Sequence, residues 1–113
     1  ISLSDLLTPW NQIEKRIQSA AEGDFVIAIF NPKSIKRDWQ LKKAVDLLLE
    51  FRDKSTPVAI ARELGRPEEN IEIHTLESLP FNQVDMLTIL VIGNSQSVIK
   101  NNKFLTPRGY FSN

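Results

Sequence analysis

The sequence predicts an α/β sandwich with a mixed β-sheet, and three observations carry that reading. Leu41, Ala44, Val45, Leu48 and Phe51 recur at helical spacing between Trp39 and Arg52, which marks an amphipathic helix. Residues 25–30 (FVIAIF) and 88–92 (TILVI) are short unbroken apolar runs rich in β-formers, as buried strands are. Helices alternate with strands early in the chain, and a hairpin signal at Asn101-Asn102 follows late.

Taken in order, Thr8 is placed to cap a helix whose first turn accepts Pro9, because the missing N–H of proline costs nothing there. Trp10, Ile13, Ile17, Ala20 and Ala21 share one face of that helix, and Gly23 stops it. Residues 25–30 read as a buried central strand, closed by Asn31-Pro32 and followed by a polar loop at 33–38. The second helix runs from Trp39 to about Arg52, and Ser55-Thr56-Pro57 breaks it. Residues 58–61 form a second apolar strand, and Gly65-Arg66-Pro67 turns the chain. Ile71, Ile73 and Thr75 alternate with Glu72 and His74, the pattern of a half-exposed strand. Residues 75–79 suit a short helix. Residues 88–92 make a further buried strand, closed by Gly93-Asn94. Residues 97–100 and 103–106 flank Asn101-Asn102, and asparagine tolerates the positive φ of a tight turn. The expected order is α-β-α-β-β-(α)-β-β-β.

Composition bounds the function. The 113 residues suffice for one domain. Fourteen basic and fourteen acidic residues cancel, which argues against a broad footprint for nucleic acid or an anionic membrane surface. Without cysteine the chain holds no disulfide, thiolate zinc site or iron–sulfur cluster, which suits the cytoplasm. No apolar stretch is long enough to span a bilayer as a helix. No metal-ligand spacing, phosphate-binding glycine loop or nucleophile elbow is present. Ile1 to Leu7 lack the features of a signal peptide and read as the interior of a longer chain.

In open α/β sheets ligands gather at strand ends where the topology switches. Three such ends carry polar groups: Phe30-Asn31-Pro32, Ala61-Arg62-Glu63 and Gly93-Asn94-Ser95-Gln96. Asn-Pro and Gly-Asn are also ordinary turn formers, so composition assigns no ligand to any one of them. Lys33, Lys36 and Arg37 form a basic cluster with the chemistry to clamp carboxylates or phosphates, though a solvated loop has the same composition. His74 reads as an exposed strand residue, Asp5 and Asp85 as isolated carboxylates, and Trp10 and Trp39 as packing residues at helix starts.

Several segments in one order go further. They are residues 1–10 (ISLSDLLTPW), Phe30-Asn-Pro-Lys-Ser34 with Arg37, Trp39 and Gln40, and Thr56-Pro-Val58 with Ala61-Arg62 and Gly65-Arg66. Val84-Asp-Met-Leu-Thr88 with Ile92-Gly-Asn-Ser-Gln96 and Thr106-Pro-Arg-Gly-Tyr110 complete the series. Together they resemble the carboxy-terminal domain of the class III tetrapyrrole methylases, in the branch that methylates C17 of precorrin-3B. The resemblance covers essentially the whole chain, with residues 1–9 as the segment entering from an amino-terminal domain. It implies a two-domain homodimeric enzyme with S-adenosylmethionine between its domains and precorrin-3B, or its cobalt form, as substrate. It implies methyl transfer with ring contraction in cobalamin biosynthesis, and that this half alone is inactive. Carried over by position, Phe30, Asn31, Pro32, Ala61, Arg62, Leu87 and Thr88 match the cofactor side. The family more often has Tyr at the position of Phe30. Ser2, Ser4, Asp5 and Thr8 match the segment facing the tetrapyrrole, and Lys33, Lys36 and Arg37 become candidates for its carboxylates. No catalytic residue is assigned. The competing reading is a non-catalytic ligand-binding or dimerisation module that shares only the fold.

Overall fold

In the computed structural model, residues 1–32 and 39–107 are described. The order of elements is the expected one except that a 3-10 turn stands in place of the short third helix: α1 (Trp10–Glu22), β1 (Ile27–Ile29), α2 (Gln40–Leu48), β2 (Pro57–Arg62), β3 (Asn70–Thr75), the 3-10 turn (Phe81–Gln83), β4 (Thr88–Ile92), β5 (Val98–Lys100) and β6 (Lys103–Leu105).

β1 to β4 form one sheet in the order β1-β4-β2-β3, and every neighbouring pair is antiparallel. The parallel component of the expected mixed sheet is a single bridge from Ser2 to Phe30. Cross-strand partners share a face, so Ile27, Ile29, Val58, Ile60, Leu90 and Ile92 point one way. These six belong to one core with Ile13 and Ile17 of α1 and Leu41, Ala44, Val45 and Leu48 of α2. Both helices therefore cover the same face. The other face carries Ala28, Ala59, Ile73, Ile89 and Val91, all half-buried.

Local departures have local causes. Thr8 does not cap α1; Pro9 occupies that position, and its carbonyl accepts from Gln12 and Ile13 instead. Gly23 ends α1 as expected, while the left-handed residue is Asp24, φ 58°. The strand at 25–30 is shorter than expected and lies at the edge, not the centre. Among the described residues its outer side meets only the segment around Ser2, and Phe25 and Val26 stand exposed. An apolar run does not reveal how many neighbours a strand has. No helix forms at 75–79. The hydroxyls of Thr75 and Ser78 bond each other and the backbone N–H groups there, a local alternative to helix, and the 3-10 turn follows Pro80. The β5–β6 hairpin turns through Asn101 and Asn102, φ 53° and 61°, the signature of a type I′ turn.

Candidate functional site

β4 runs antiparallel between β1 and β2, so those two outer neighbours are parallel to each other. Their carboxyl ends and the amino end of β4 therefore share one edge. Ile29 pairs with Leu90, and Arg62 pairs with Thr88. This brings Phe30-Asn31-Pro32, Ala61-Arg62 and Leu87-Thr88 together, although they are up to 58 positions apart in the chain.

The segment read as substrate-facing joins the same edge. Leu3 donates to the Phe30 carbonyl at 3.0 Å, and Phe30 donates to the Ile1 carbonyl at 2.9 Å. Asn31, held at φ 50°, donates through Nδ2 to Ser2 Oγ at 3.0 Å, and the same oxygen accepts from the Ser4 N–H. Ser4, Asp5 and Thr8 are half-buried just beyond. Lys33, Lys36 and Arg37 lie outside the described residues.

Leu87 and Thr88 are shaped by Asp85. Its Oδ1 accepts from the Leu87 N–H at 2.9 Å and from Thr88 Oγ1–H at 3.0 Å, while Thr88 N–H donates to the Asp85 carbonyl. Asp85 is therefore not the isolated carboxylate that its sequence context suggests. The spacing Asp-x-x-Thr before a strand is the signal that would have revealed this turn. Thr88 itself is buried and its hydroxyl engaged, whereas Met86 and Leu87 stand exposed at 58% and 61%. The turn thus presents apolar side chains, while the amides of Asp85, Leu87 and Thr88 are satisfied internally.

Arg62 is committed within the domain. Nη1 donates to Glu72 Oε2 at 2.6 Å, and Nη2 donates to the Gln83 carbonyl at 3.0 Å. The other Glu72 oxygen bonds His74 Nε2 at 3.0 Å, and Asn70 also donates to the carboxylate. Hydrogen bonding by His74, then by Arg62, holds the Glu72 carboxyl below its ordinary pKa. His74 is only partly exposed, not a free strand residue. At this edge Arg62 fastens the loop before β4 to β2 and β3, a role that sequence spacing did not reveal.

Gly93-Asn94-Ser95-Gln96 does not join the site. It follows the carboxyl end of an antiparallel strand, and so lies at the opposite edge. There Arg52, itself buried, donates to the carbonyls of Gly93 at 2.6 Å and Phe25 at 2.5 Å. Asp24 accepts from the Ser95 N–H and hydroxyl, and those bonds hold its carboxyl below the ordinary value. The loop after β4 is a structural knot.

Large apolar residues crowd the first edge. Leu6 (77% exposed) and Leu7 (98%) follow the Ser2 bridge, Phe30 follows β1, Leu64 follows β2, and Met86 and Leu87 precede β4. Such a concentration of exposed apolar side chains marks a surface made to be covered. Among the described residues no His, Asp and Glu side chains gather as metal ligands, and no helix is long and apolar enough to cross a membrane.

The model of the tetrapyrrole (corrin/porphyrin) methylases matches residues 1–80. The chain is 44% identical over 110 residues to the probable cobalt-factor III C(17)-methyltransferase of Salmonella typhimurium, covering 97% of this chain and 46% of that protein. It is 42% identical over 115 residues to the precorrin-3B C(17)-methyltransferase of a Sinorhizobium species, covering 97% and 45%. The crystal structure of the methyltransferase CobJ superposes with a TM-score of 0.88 at 33% identity, covering 95% of this chain and 45% of that one. The chain thus spans about half the length of these relatives. With fold, strand-end motifs and family model in agreement, the chain belongs to the tetrapyrrole methylase family.

Proposed function

We propose that this chain is the carboxy-terminal half of an S-adenosylmethionine-dependent methyltransferase acting on C17 of precorrin-3B or its cobalt form, with ring contraction, in cobalamin biosynthesis. The observation that carries the reading is the convergence of Phe30-Asn31, Ala61-Arg62 and Leu87-Thr88 on one edge rimmed by exposed apolar side chains. The 42–44% identity to C17-methyltransferases over nearly the whole chain supports the same substrate.

The residues present suit the adenosine end of the cofactor. Phe30 and Leu87 offer apolar surface for the ring, and the carbonyls of Met86 and Leu87 are acceptors of the kind an exocyclic amine needs. Pro32 and Ala61 are buried just behind this surface. Arg62 and Thr88 contribute by shaping the loop. Ser2, Ser4, Asp5 and Thr8 line the adjoining stretch, where the substrate is expected, and Lys33, Lys36 and Arg37, which follow in sequence, are the candidates for its carboxylates. The cofactor supplies an electrophilic methyl group, so the chain has mainly to align donor and acceptor and exclude water. The covering surface is the other half of the enzyme, with residues 1–9 as the connection. The enzyme is a cytoplasmic homodimer in this reading, which the absence of cysteine suits.

Titration of S-adenosylhomocysteine by calorimetry tests this. Binding is weak or absent for the 113-residue chain and strong for the chain joined to the amino-terminal half of a relative, and the joined protein methylates precorrin-3B. A joined protein that folds yet neither binds nor transfers methyl would leave only a non-catalytic module sharing the fold.

A further inference from the structure

β3 ends the sheet, and among the described residues it pairs only with β2. Leu76 N–H donates to the Thr56 carbonyl, and Gly93 N–H to the Pro57 carbonyl. In an antiparallel ladder the backbone groups alternate in direction. With residue 76 bonded to residue 56, the groups of His74, Glu72 and Asn70 also face β2, and those of Ile71, Ile73 and Thr75 face outward. The Thr75 N–H is taken by Ser78 Oγ. The N–H and C=O of Ile71 and Ile73 are left open along the edge.

Natural edges are usually guarded by proline, by lysine, by a bulge or by a covering element. β3 (NIEIHT) has no proline or lysine, and its register with β2 is unbroken over six pairs. Ile71 is 57% exposed on it. Ile99 and Asn102 of the hairpin stand beside it, and with residues 71–74 they line an open groove of about 560 Å³.

We propose that this edge pairs with β3 of a second copy of the chain, giving one continuous eight-stranded sheet about a two-fold axis at Ile73. This rests on the homodimer reading and assigns its face. The strand is self-complementary in that register. Ile73 meets Ile73 of the second copy, and Ile71 meets Thr75. Glu72 meets His74 twice, once on each side of the axis. Four backbone hydrogen bonds form: two between the Ile73 residues, and two from Ile71 N–H groups to Thr75 carbonyls, which retain a free lone pair. A two-fold at Glu72 would also make four, but it would set Glu72 against Glu72. Like charges directly opposite destabilise a ladder, whereas acid against histidine or lysine stabilises it. The charge pattern therefore selects Ile73 as the axis.

Sedimentation equilibrium of the 113-residue chain tests this, with His74→Glu and His74→Lys as paired variants. His74 is partly exposed, so both fold, which circular dichroism checks. H74E sets acid against acid in both pairs and raises the dimer dissociation constant about tenfold or more. H74K sets lysine against acid and leaves the dimer intact. Ile73→Lys, which sets two lysines on the axis, gives monomer. A wild-type chain that is monomeric throughout would overturn this face, and sedimentation of the chain joined to the amino-terminal half then decides the homodimer reading separately. A wild-type dimer indifferent to H74E and I73K would overturn the face alone.

Discussion

Arg62 reaches Glu72 at 2.6 Å and the Gln83 carbonyl at 3.0 Å, so one guanidinium joins β2, β3 and the loop that enters β4. The pair is partly exposed, at 20% and 35%, so its Coulombic share is small, and most of the effect comes from hydrogen bonds. Arg62→Met is expected to cost about 1–2 kcal/mol in urea unfolding. On the proposed function it should also weaken S-adenosylhomocysteine binding by the chain joined to an amino-terminal half, because the Met86–Leu87 turn loses its anchor. Arg62→Lys should recover little of either, since one ammonium does not span both acceptors. Normal stability and normal affinity in R62M would dismiss the anchoring role.

Thr88 is 1% exposed, and its hydroxyl both donates to Asp85 Oδ1 and accepts from the Asp85 N–H. A bulky replacement would therefore report on core overpacking rather than on the cofactor. Thr88→Val keeps the shape and removes the hydroxyl. It should cost about 1–2 kcal/mol, and cofactor affinity should fall because the turn loosens. Thr88→Ser should retain most of the affinity. Calorimetry on the three proteins decides: equal affinities would separate the turn from the site.

Much of this edge was legible beforehand, and the reason is specific. Phe30-Asn31, Ala61-Arg62 and Leu87-Thr88 each carry recognisable strand-end residues, so the site could be read in pieces. Their meeting depends on β4 running antiparallel between β1 and β2, which apolar runs do not encode. The same blindness grouped Gly93-Asn94 with the other two polar strand ends, when strand direction sends it to the far edge. Edge and centre were likewise exchanged for β1: residues 25–30 are as apolar as a central strand, yet Phe25 is 64% exposed. The hairpin at Asn101-Asn102 was readable because its turn chemistry is local, needing only two residues that accept positive φ. The Arg62–Glu72–His74 chain was not, because its members meet only through the register of β2 on β3.

Acid should destabilise the domain through two carboxylates. Asp24 is held below its ordinary pKa by hydrogen bonds from Ser95, and Glu72 by those from His74 and Arg62. A carboxyl whose folded pKa is depressed binds fewer protons than in the unfolded chain. Its stabilisation is complete above the unfolded value, near pH 4, and is lost as pH falls through the lower folded value. Melting temperatures measured from pH 6 to pH 2.5 should therefore fall less steeply for Asp24→Asn and Glu72→Gln than for the wild type. At pH 6 each variant should be less stable than the wild type. Parallel curves for all three would show that neither carboxylate is linked to folding.

Arg52 carries the far edge. Its guanidinium is buried with no carboxylate of the described residues in contact, and it bonds the carbonyls of Gly93 and Phe25, with Ala20 more distant at 3.4 Å. Burial lowers its pKa, although arginine remains charged. A buried cation is costly, so the case for stabilisation rests on what its removal leaves behind. Without it, the carbonyls of Phe25, in the loop after α1, and of Gly93, after β4, lose their donor. Arg52→Met keeps most of the packing volume and should cost about 2–4 kcal/mol in urea. Arg52→Lys should fall between, since an ammonium can serve one carbonyl at full strength but not both. The loss should be local in amide hydrogen exchange: Gly93, Asn94 and Ser97 should open more readily, while Leu90 at the other end of β4 changes only with global stability. If R52M left exchange at residues 93–97 unchanged relative to Leu90, the guanidinium would be packing material rather than the tie between α1 and β4.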